Sequence, residues 1–326
     1  MRGDTTLLRL IAPIQGALDN PQVTDVVVNK PHEVGIREAG QWHWLNVPSF
    51  DFDTLDAATI LIGQRVGREF DESSPYVNST LPGGQRFQGV RPPGTKSDRI
   101  LWAIRRPPSV ARKMDDDDFH DLFQGTNNGA GRLQRVRDNL LAAYQAKQWR
   151  QLFTAARMSG LSIAFCGPTG SGKTDLARRA LGVSRLGSRM VTIETDDEYG
   201  DVGPDNKAPL FYDDTQISSD EAVRIALRLV PVEIALQEVR GAEAYSLLRA
   251  MNSGHSGVTT WHAMEGSELD ALCMMARQHP AGREMSEDRL MAMARDAFDV
   301  IAYCYRDDND FRVSSVRLMA MERENA

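Results

Sequence analysis

The chain has 326 residues, a formal net charge of −7 at pH 7 and a hydrophobic fraction of 41%. This length allows two packed domains, and the acidic balance argues against a protein whose main task is to bind nucleic-acid phosphates. The apolar stretch near the start is interrupted by Arg9, and no apolar run reaches about 18 residues, so we expect neither a signal peptide nor a membrane span. Three widely separated cysteines, Cys166, Cys273 and Cys304, indicate reduced thiols and a cytoplasmic location.

Turn residues and short strand-like runs predict a smaller N-terminal α/β domain over residues 1–112. Within it, Val23–Val28 reads as a strand, and Thr54–Gly67 has the apolar spacing of a helix. Residues 113–131 contain four consecutive aspartates followed by glycines and asparagines, a composition with too little apolar surface for a core. We predict a linker there, and a second domain over residues 132–326.

The second domain alternates helical patterns with buried strand patterns, as parallel βαβ units do. An edge hairpin is predicted at its C-terminal end. The predicted strands are Leu161–Cys166, Met190–Glu194, Val232–Gln237 and Gly257–His262, and the hairpin strands are Val300–Tyr305 and Phe311–Met319.

A phosphate-binding loop of the pattern G-x-x-x-x-G-K-[ST] follows the first of these strands and precedes a helix. Glycines allow backbone N–H groups to wrap phosphates, and the helix N-terminus adds positive partial charge. In this pattern Lys173 reaches the β- and γ-phosphates, and the hydroxyl of Thr174 binds Mg²⁺. The loop residues are Gly167, Pro168, Thr169, Gly170, Ser171, Gly172, Lys173 and Thr174.

Three further chemical groups follow the ends of neighbouring strands, where ligands of open α/β sheets bind. Glu194 opens an acidic segment, Glu238 follows a buried strand in the Walker B arrangement, and His262 ends the next strand. Considered separately, a solvated acidic loop explains the segment after Glu194 equally well. A hydrogen-bonded structural histidine explains His262 better than a role in catalysis.

Together, four segments resemble the Walker A motif, Asp box, Walker B motif and His box of the secretion ATPase superfamily. These are Gly167–Thr174, Thr192–Tyr199, Gln237–Gly241 and Thr259–Ala263. The stretches from Ala235 to Tyr245 and from Leu248 to His255 are especially similar to the VirB-type ATPases of type IV secretion. Leu18–Asn29 and Leu81–Arg86 are similar to the N-terminal domain of that family, so the resemblance covers nearly the whole chain.

The resemblance implies a C-terminal RecA-like ATPase domain, a hexameric ring, and ATP held between the two domains. It implies Lys173, Glu194, Glu238 and His262 as catalytic residues, with Mg²⁺ held by Thr174 and Glu238. It also places N-terminal arginines at the ATP. We expect Arg105 or Arg106 there, with Arg86 second, while Arg228 and Arg240 of the C-terminal domain are alternatives.

In that family the ring powers substrate transfer and pilus assembly together with inner-membrane components of a secretion channel. The resemblance thus implies a cytoplasmic protein that associates peripherally with the inner membrane. The sequence departs from the family pattern at Gln237, which replaces a glycine before the Walker B glutamate, and at Trp261, which replaces a leucine in the His box. Val230 and Val232 replace charged residues around Pro231.

Related pilus extension or retraction motors and type II secretion motors share these boxes and are the main alternative. Type II motors usually add a four-cysteine zinc module, which three scattered cysteines cannot supply. A DNA-translocating RecA-like motor is disfavoured by the acidic charge. A non-catalytic nucleotide sensor is disfavoured because the lysine, threonine and both glutamates are present.

Overall fold

The computed structural model describes residues 2–107, 128–183, 185, 187–308 and 310–324. Residues 2–105 form a six-stranded antiparallel sheet covered by two helices. The strand order is β3-β2-β1-β6-β5-β4, and every neighbouring pair is antiparallel. The elements are α1 (Arg2–Asp19), β1 (Val23–Lys30), β2 (Glu33–Glu38), β3 (Gln41–Asn46), α2 (Phe52–Gln64), β4 (Tyr76–Thr80), β5 (Arg86–Val90) and β6 (Leu101–Arg105).

Trp102 on β6 organises the core of this N-terminal domain. Its ring meets those of Phe50 and Phe87 edge to face, with 5.5 Å between ring centroids in each pair. Its indole N–H donates to the hydroxyl of Thr59 on α2 at 2.7 Å, so the one polar group of a fully buried side chain is satisfied. Helix α2 begins where the side chain of Asp51 accepts a hydrogen bond from the backbone N–H of Thr54.

The rest of the chain forms a seven-stranded sheet in the order β13-β12-β7-β11-β10-β8-β9, parallel except for the antiparallel edge strand β13. Its strands are β7 (Ile163–Cys166), β8 (Met190–Glu194), β9 (Lys207–Phe211), β10 (Glu233–Val239), β11 (Ser256–Trp261), β12 (Val300–Asp307) and β13 (Asp310–Leu318). Its helices are α3 (Asn128–Gln145), α4 (Trp149–Met158), α5 (Lys173–Leu181), α6 (Ser219–Arg228), α7 (Glu243–Asn252), α8 (Glu268–Ala276), α9 (Pro280–Arg283), α10 (Glu287–Ala297) and α11 (Met319–Glu324).

The predicted α/β fold class and the C-terminal edge hairpin are confirmed. Strand β9 was not predicted, because its short segment around Pro209 lacks the apolar run that identifies the central strands. Most of the predicted linker 113–131 lies outside the described residues, but its last four positions belong to α3, which starts at Asn128. Among the described helices, none is long and apolar enough to cross a membrane.

All three cysteines are buried and free of disulfide bonds, as expected for reduced thiols. Burial raises the pKa of Cys273 and of Cys304 to about 11, and it also raises the pKa of Cys166 well above the ordinary value of a thiol. The thiols are therefore protonated at neutral pH and pack as small apolar side chains.

The fully buried Arg189 joins the two domains at the edge formed by β8 and β9. Its guanidinium donates to Asn29 of the N-terminal domain at 2.8 Å, to Asn206 at 2.6 Å and to the carbonyl of Leu229 at 2.7 Å. Asn29 in turn donates to Asn206 at 3.0 Å. Burial lowers the pKa of Arg189 to about 9, which still leaves the group charged at neutral pH.

A buried ion pair fixes the start of β10 to α4. Arg157 donates to Glu233 at 2.6 Å, both side chains are buried, and the hydroxyl of Ser188 donates to the second carboxylate oxygen at 2.9 Å. A buried charge that loses its partner is costly because water cannot replace it. The pair is therefore expected to be a sensitive point for stability.

We predict that Glu233→Gln lowers the free energy of unfolding by about 3–5 kcal/mol, because it leaves the Arg157 guanidinium charged and buried. Urea unfolding followed by circular dichroism measures this. The matched control is Arg179→Gln, which breaks the exposed Arg179–Asp175 pair at 2.8 Å and should cost about 1 kcal/mol or less. Equal effects of the two variants would contradict the prediction.

Candidate active site

The predicted phosphate-binding loop lies between β7 and α5, and glycines shape it. Gly170 and Gly172 have φ angles of 72° and 82°, a conformation that favours glycine, and Gly172 precedes the first turn of α5. A Cβ atom at Gly167 would lie 2.0 Å from the carbonyl oxygen of Cys304 on β12. The loop can therefore pass close to β12 and leave its backbone N–H groups and the N-terminus of α5 available to an anion.

Lys173 is held at the centre of this loop, with only 7% of its surface exposed. Its ammonium group donates to the carbonyl of Pro168 at 2.7 Å and lies 3.4 Å from Nδ1 of His262. Burial lowers the pKa of Lys173, and the nearby carboxylate of Glu238 partly offsets this effect. Thr174 follows at the start of α5 with a partly exposed side chain.

His262 and Glu238 continue a chain of polar contacts from Lys173. Nε2 of His262 lies 2.7 Å from one carboxylate oxygen of Glu238, and Nε of Arg240 donates to the other at 2.7 Å. The ammonium group of Lys173 can only donate hydrogen bonds, so Nδ1 of the imidazole is the acceptor in this contact. The ring proton then lies on Nε2, which faces the carboxylate of Glu238. The structure thus brings together four residues predicted from three different segments.

Glu194 lies at the carboxyl end of β8, the strand next to β10, and is 1% exposed. Its carboxylate accepts a hydrogen bond from the backbone N–H of Tyr199 at 2.8 Å. Burial raises the pKa of Glu194, and the hydrogen bond from Tyr199 partly offsets the rise. The first residue of the acidic segment is therefore buried, unlike a solvated loop residue.

Gln237 connects the Glu194 segment with the Glu238 segment. Its side-chain oxygen accepts hydrogen bonds from the backbone N–H of Thr195 at 2.9 Å and from the Thr195 hydroxyl at 3.3 Å. The backbone carbonyl of Gln237 also accepts from the hydroxyl of Thr260 on β11 at 2.9 Å. Sequence reasoning identified Gln237 as a departure from the family pattern but did not find these contacts.

Lys96 of the N-terminal domain touches the acidic segment, which sequence reasoning missed. Its ammonium group lies 2.7 Å from a carboxylate oxygen of Asp197. The same loop is anchored on β9, where the carbonyl of Gly94 accepts from the N–H of Phe211 at 2.9 Å and the hydroxyl of Thr95 donates to Pro209 at 2.7 Å. The N-terminal domain therefore contacts the segment that carries Glu194.

The predicted N-terminal arginines lie elsewhere in the chain. Arg86 and Arg105 line a cavity of about 140 Å³ together with Arg228 and Val230, at the edge of the large sheet where β10 begins. The phosphate loop is at the opposite edge, and a strand as long as β10 spans roughly 20 Å. Arg106 donates to the carbonyl of Asn20 at 3.1 Å, so its guanidinium serves the N-terminal domain itself. Within one chain, none of the three is brought to Lys173.

Comparison with known proteins shows which proteins the chain is similar to. Residues 133–279 match the family described as "Type II/IV secretion system protein". The chain is 29% identical to the type IV secretion system protein VirB11 of Brucella suis, over 92% of this chain and 86% of the relative. It is also 29% identical to PtlH of Bordetella pertussis, over 89% of this chain and 87% of that protein.

Among solved structures, the Brucella suis VirB11 ATPase in complex with sulphate matches with a TM-score of 0.89 and 26% identity, covering 99% of this chain and 97% of that one. Over nearly its whole length the chain is therefore similar to the secretion ATPases of the VirB11 type. The resemblance stated from the motifs is thereby confirmed, and so is the class of enzyme, an ATP hydrolase. The structural match covers both sheets of this chain and agrees with its α/β fold.

The raised pKa of Glu194 gives a prediction about pH. The folded protein holds the Glu194 proton to a higher pH than the unfolded chain does, so ionisation of this carboxyl costs stability as the pH rises through the folded pKa. Glu194→Gln removes that titration and keeps an acceptor for the N–H of Tyr199. We expect the variant to be more stable than the natural chain at pH 7.5, with a gain that shrinks toward pH 4, and to hydrolyse ATP more slowly.

Thermal unfolding at the two pH values, together with ATP turnover at pH 7.5, measures both effects. Glu198→Gln in the same segment is the matched control, because its side chain is exposed and should change neither quantity appreciably. A loss of stability at pH 7.5 in Glu194→Gln would show that the buried carboxylate stabilises the fold.

Proposed function

We propose that this chain hydrolyses Mg-ATP with the residues gathered at the carboxyl edge of its large sheet, and that hydrolysis powers a type IV secretion system. One observation carries the proposal. The polar chain from Lys173 through His262 to Glu238 runs directly beside a glycine-shaped phosphate loop. A structural histidine or a surface glutamate would have no reason to connect with a buried lysine at a helix N-terminus.

The residues present fit Mg-ATP. Within the described ranges, no group of three or more His, Cys, Asp or Glu side chains could hold a metal ion by itself. Mg²⁺ usually takes one or two protein ligands and completes its shell with water and substrate phosphates. Thr174 and Glu238 would supply those ligands, directly or through water, and bound Mg²⁺ would neutralise charge on the phosphates.

The two carboxylates suit different tasks. Glu238 is fixed by His262 on one side and Arg240 on the other, an arrangement that suits orientation of the metal shell and the attacking water. The raised pKa of Glu194 makes that carboxylate a better proton acceptor than an exposed glutamate, which suits a general base for water. The ammonium of Lys173 would stabilise charge that develops on the γ-phosphate.

The relatives support the physiological role that we propose. Proteins named VirB11 and PtlH, from type IV secretion systems, match most of this chain. We therefore assign the chain to a cytoplasmic ring, a homohexamer, at the inner face of the inner membrane. There it would work with membrane components of a secretion channel in substrate transfer and pilus assembly.

The first functional prediction concerns Lys173 and Glu238. Lys173→Ala should abolish measurable ATP turnover, because it removes the positive charge that faces the phosphates. Glu238→Gln should bind ATP within a few-fold of the natural chain but hydrolyse it at least about 100-fold more slowly, the loss typical of one oriented catalytic group. Phosphate release and binding of a fluorescent ATP analogue measure the two effects.

Arg178→Ala is the matched control for these variants, because its exposed side chain lies one turn after Lys173 on α5. It should retain turnover within about two-fold. Natural turnover by folded Lys173→Ala protein would contradict the site assignment, and loss of ATP binding in Glu238→Gln would assign that carboxylate to binding.

Arg86 and Arg105 are the best candidates for arginines supplied by a neighbouring subunit. They lie directly opposite each other on β5 and β6, so both side chains project from one face of the sheet. The carboxylate of Asp25 lies 3.9 Å from Nε of Arg105 and offsets part of the repulsion between the two like charges, and an anionic ligand between the arginines would offset more of it. Their distance from the phosphate loop of their own chain supports contact with ATP bound by an adjacent chain, as a ring would allow.

A mixing experiment tests this arrangement. The double variant Arg86→Ala/Arg105→Ala and the single variant Lys173→Ala should each have little turnover, since a supplied arginine contributes about 10³–10⁵ in rate in known motors. When the two are assembled into mixed rings, part of the activity should return. Each active interface would combine an intact phosphate loop from one chain with intact arginines from the next.

Arg106→Ala serves as the control, because its contact with Asn20 predicts a modest effect on stability and little on turnover. Native mass spectrometry verifies that mixed rings form. If such rings form but activity does not return, these arginines do not act between subunits.

A further inference from the structure

An exposed aromatic side chain borders the phosphate loop on the side away from His262. Phe311 is 54% exposed on β13, and a Cβ atom at Gly172 would lie only 2.9 Å from the Cγ atom of its ring. The ring therefore contacts the last glycine before Lys173 and presents much of its remaining surface outward. Phe311 lies outside the four motif segments of the sequence.

The hairpin that carries Phe311 is held firmly against the loop. The carbonyl of Cys304 on β12 lies so close to Gly167 that no side chain fits between them. Ser314 on β13 donates to Glu265, in the segment after β11, at 2.6 Å. These contacts hold the hairpin beside the loop, and the ring of Phe311 on that hairpin forms a wall of the phosphate site next to Gly172.

The direction of bound ATP follows from the catalytic groups. His262 and Glu238 lie at the ends of β11 and β10, on one side of β7, so the γ-phosphate must point to that side. Strand β12 borders β7 on its other side. The nucleoside part of ATP must therefore extend away from β11, toward the hairpin where the ring of Phe311 lies.

Arg306 completes this wall. It pairs with Phe311 across the hairpin, and its guanidinium carbon lies 5.9 Å from the centre of the ring. A planar aromatic ring with a planar cation beside it is a combination that stacks on nucleobases. We propose that Phe311 stacks on the adenine base of ATP and that Arg306 supports the stacked base. This inference rests on the proposed ATPase function and adds a base-recognition site to it.

The test separates binding of the base from binding of the phosphates. Affinities of Mg-ATP and of Mg-tripolyphosphate, which has no base, are measured by calorimetry for the natural chain, Phe311→Ala and Phe311→Tyr. Phe311→Ala should bind ATP about 5- to 100-fold more weakly, the loss expected for one base–aromatic stack. It should bind tripolyphosphate within about two-fold of the natural chain. Phe311→Tyr keeps an aromatic ring and should retain ATP affinity.

Val313→Ala is the matched control, because Val313 is an exposed apolar residue two positions along the same strand. It should leave both affinities unchanged. A second readout uses Phe311→Trp, whose added fluorescence should change on binding Mg-ATP and stay constant with Mg-tripolyphosphate.

Unchanged ATP affinity in Phe311→Ala would overturn the proposal. An equal loss for both ligands would also overturn it, since the ring would then only support the loop. If the natural chain binds tripolyphosphate and ATP with the same affinity, the base makes no contact and the proposal fails while the phosphate site stands. If the natural chain binds neither ligand, the ATPase assignment itself fails.

Discussion

The charge of Lys173, almost buried and not directly neutralised, is the constraint on which the rest of the site depends. A lysine in contact with a carboxylate would form an ion pair and lose much of its attraction for phosphate. Here His262 stands between Lys173 and Glu238, accepting from the first and donating to the second. The imidazole between them keeps both charges in reach of one ligand while it prevents their direct pairing.

The parallel sheet explains why these groups converge. Strands β7, β11, β10 and β8 lie side by side and end at the same edge, so the segments after them meet although they are far apart in sequence. The N-terminal domain contacts the same edge where its Lys96 pairs with Asp197. A second contact lies before the start of β8, where Arg189 donates to Asn29 of the N-terminal domain. A displacement of the segment after Glu194 during hydrolysis would therefore be transmitted to the N-terminal domain through the contact between Lys96 and Asp197.

The sequence predicted the fold class, the central strands and the meeting of Lys173, Glu238 and His262, because each depends on a local motif at the end of a strand. It did not predict Lys96, whose contact joins residues from different domains and has no local pattern. For Phe311 the sequence predicted only its place in a strand of the edge hairpin. Its position beside Gly172 depends on how β12 packs against the loop, which periodicity along the chain does not encode.

Gln237 shows how a departure from the family pattern can be accommodated. A glycine there would leave the half-buried backbone N–H of Thr195 without this acceptor, and a lost hydrogen bond of this kind costs roughly 0.5–1.5 kcal/mol. The glutamine side chain supplies the acceptor and so ties the end of β10 to the turn after β8. Because Glu238 and Glu194 adjoin the two tied residues, this bond couples the positions of both carboxylates. The glutamine side chain occupies space near the site, and through this bond it limits the independent movement of the two carboxylates that we propose act on the attacking water.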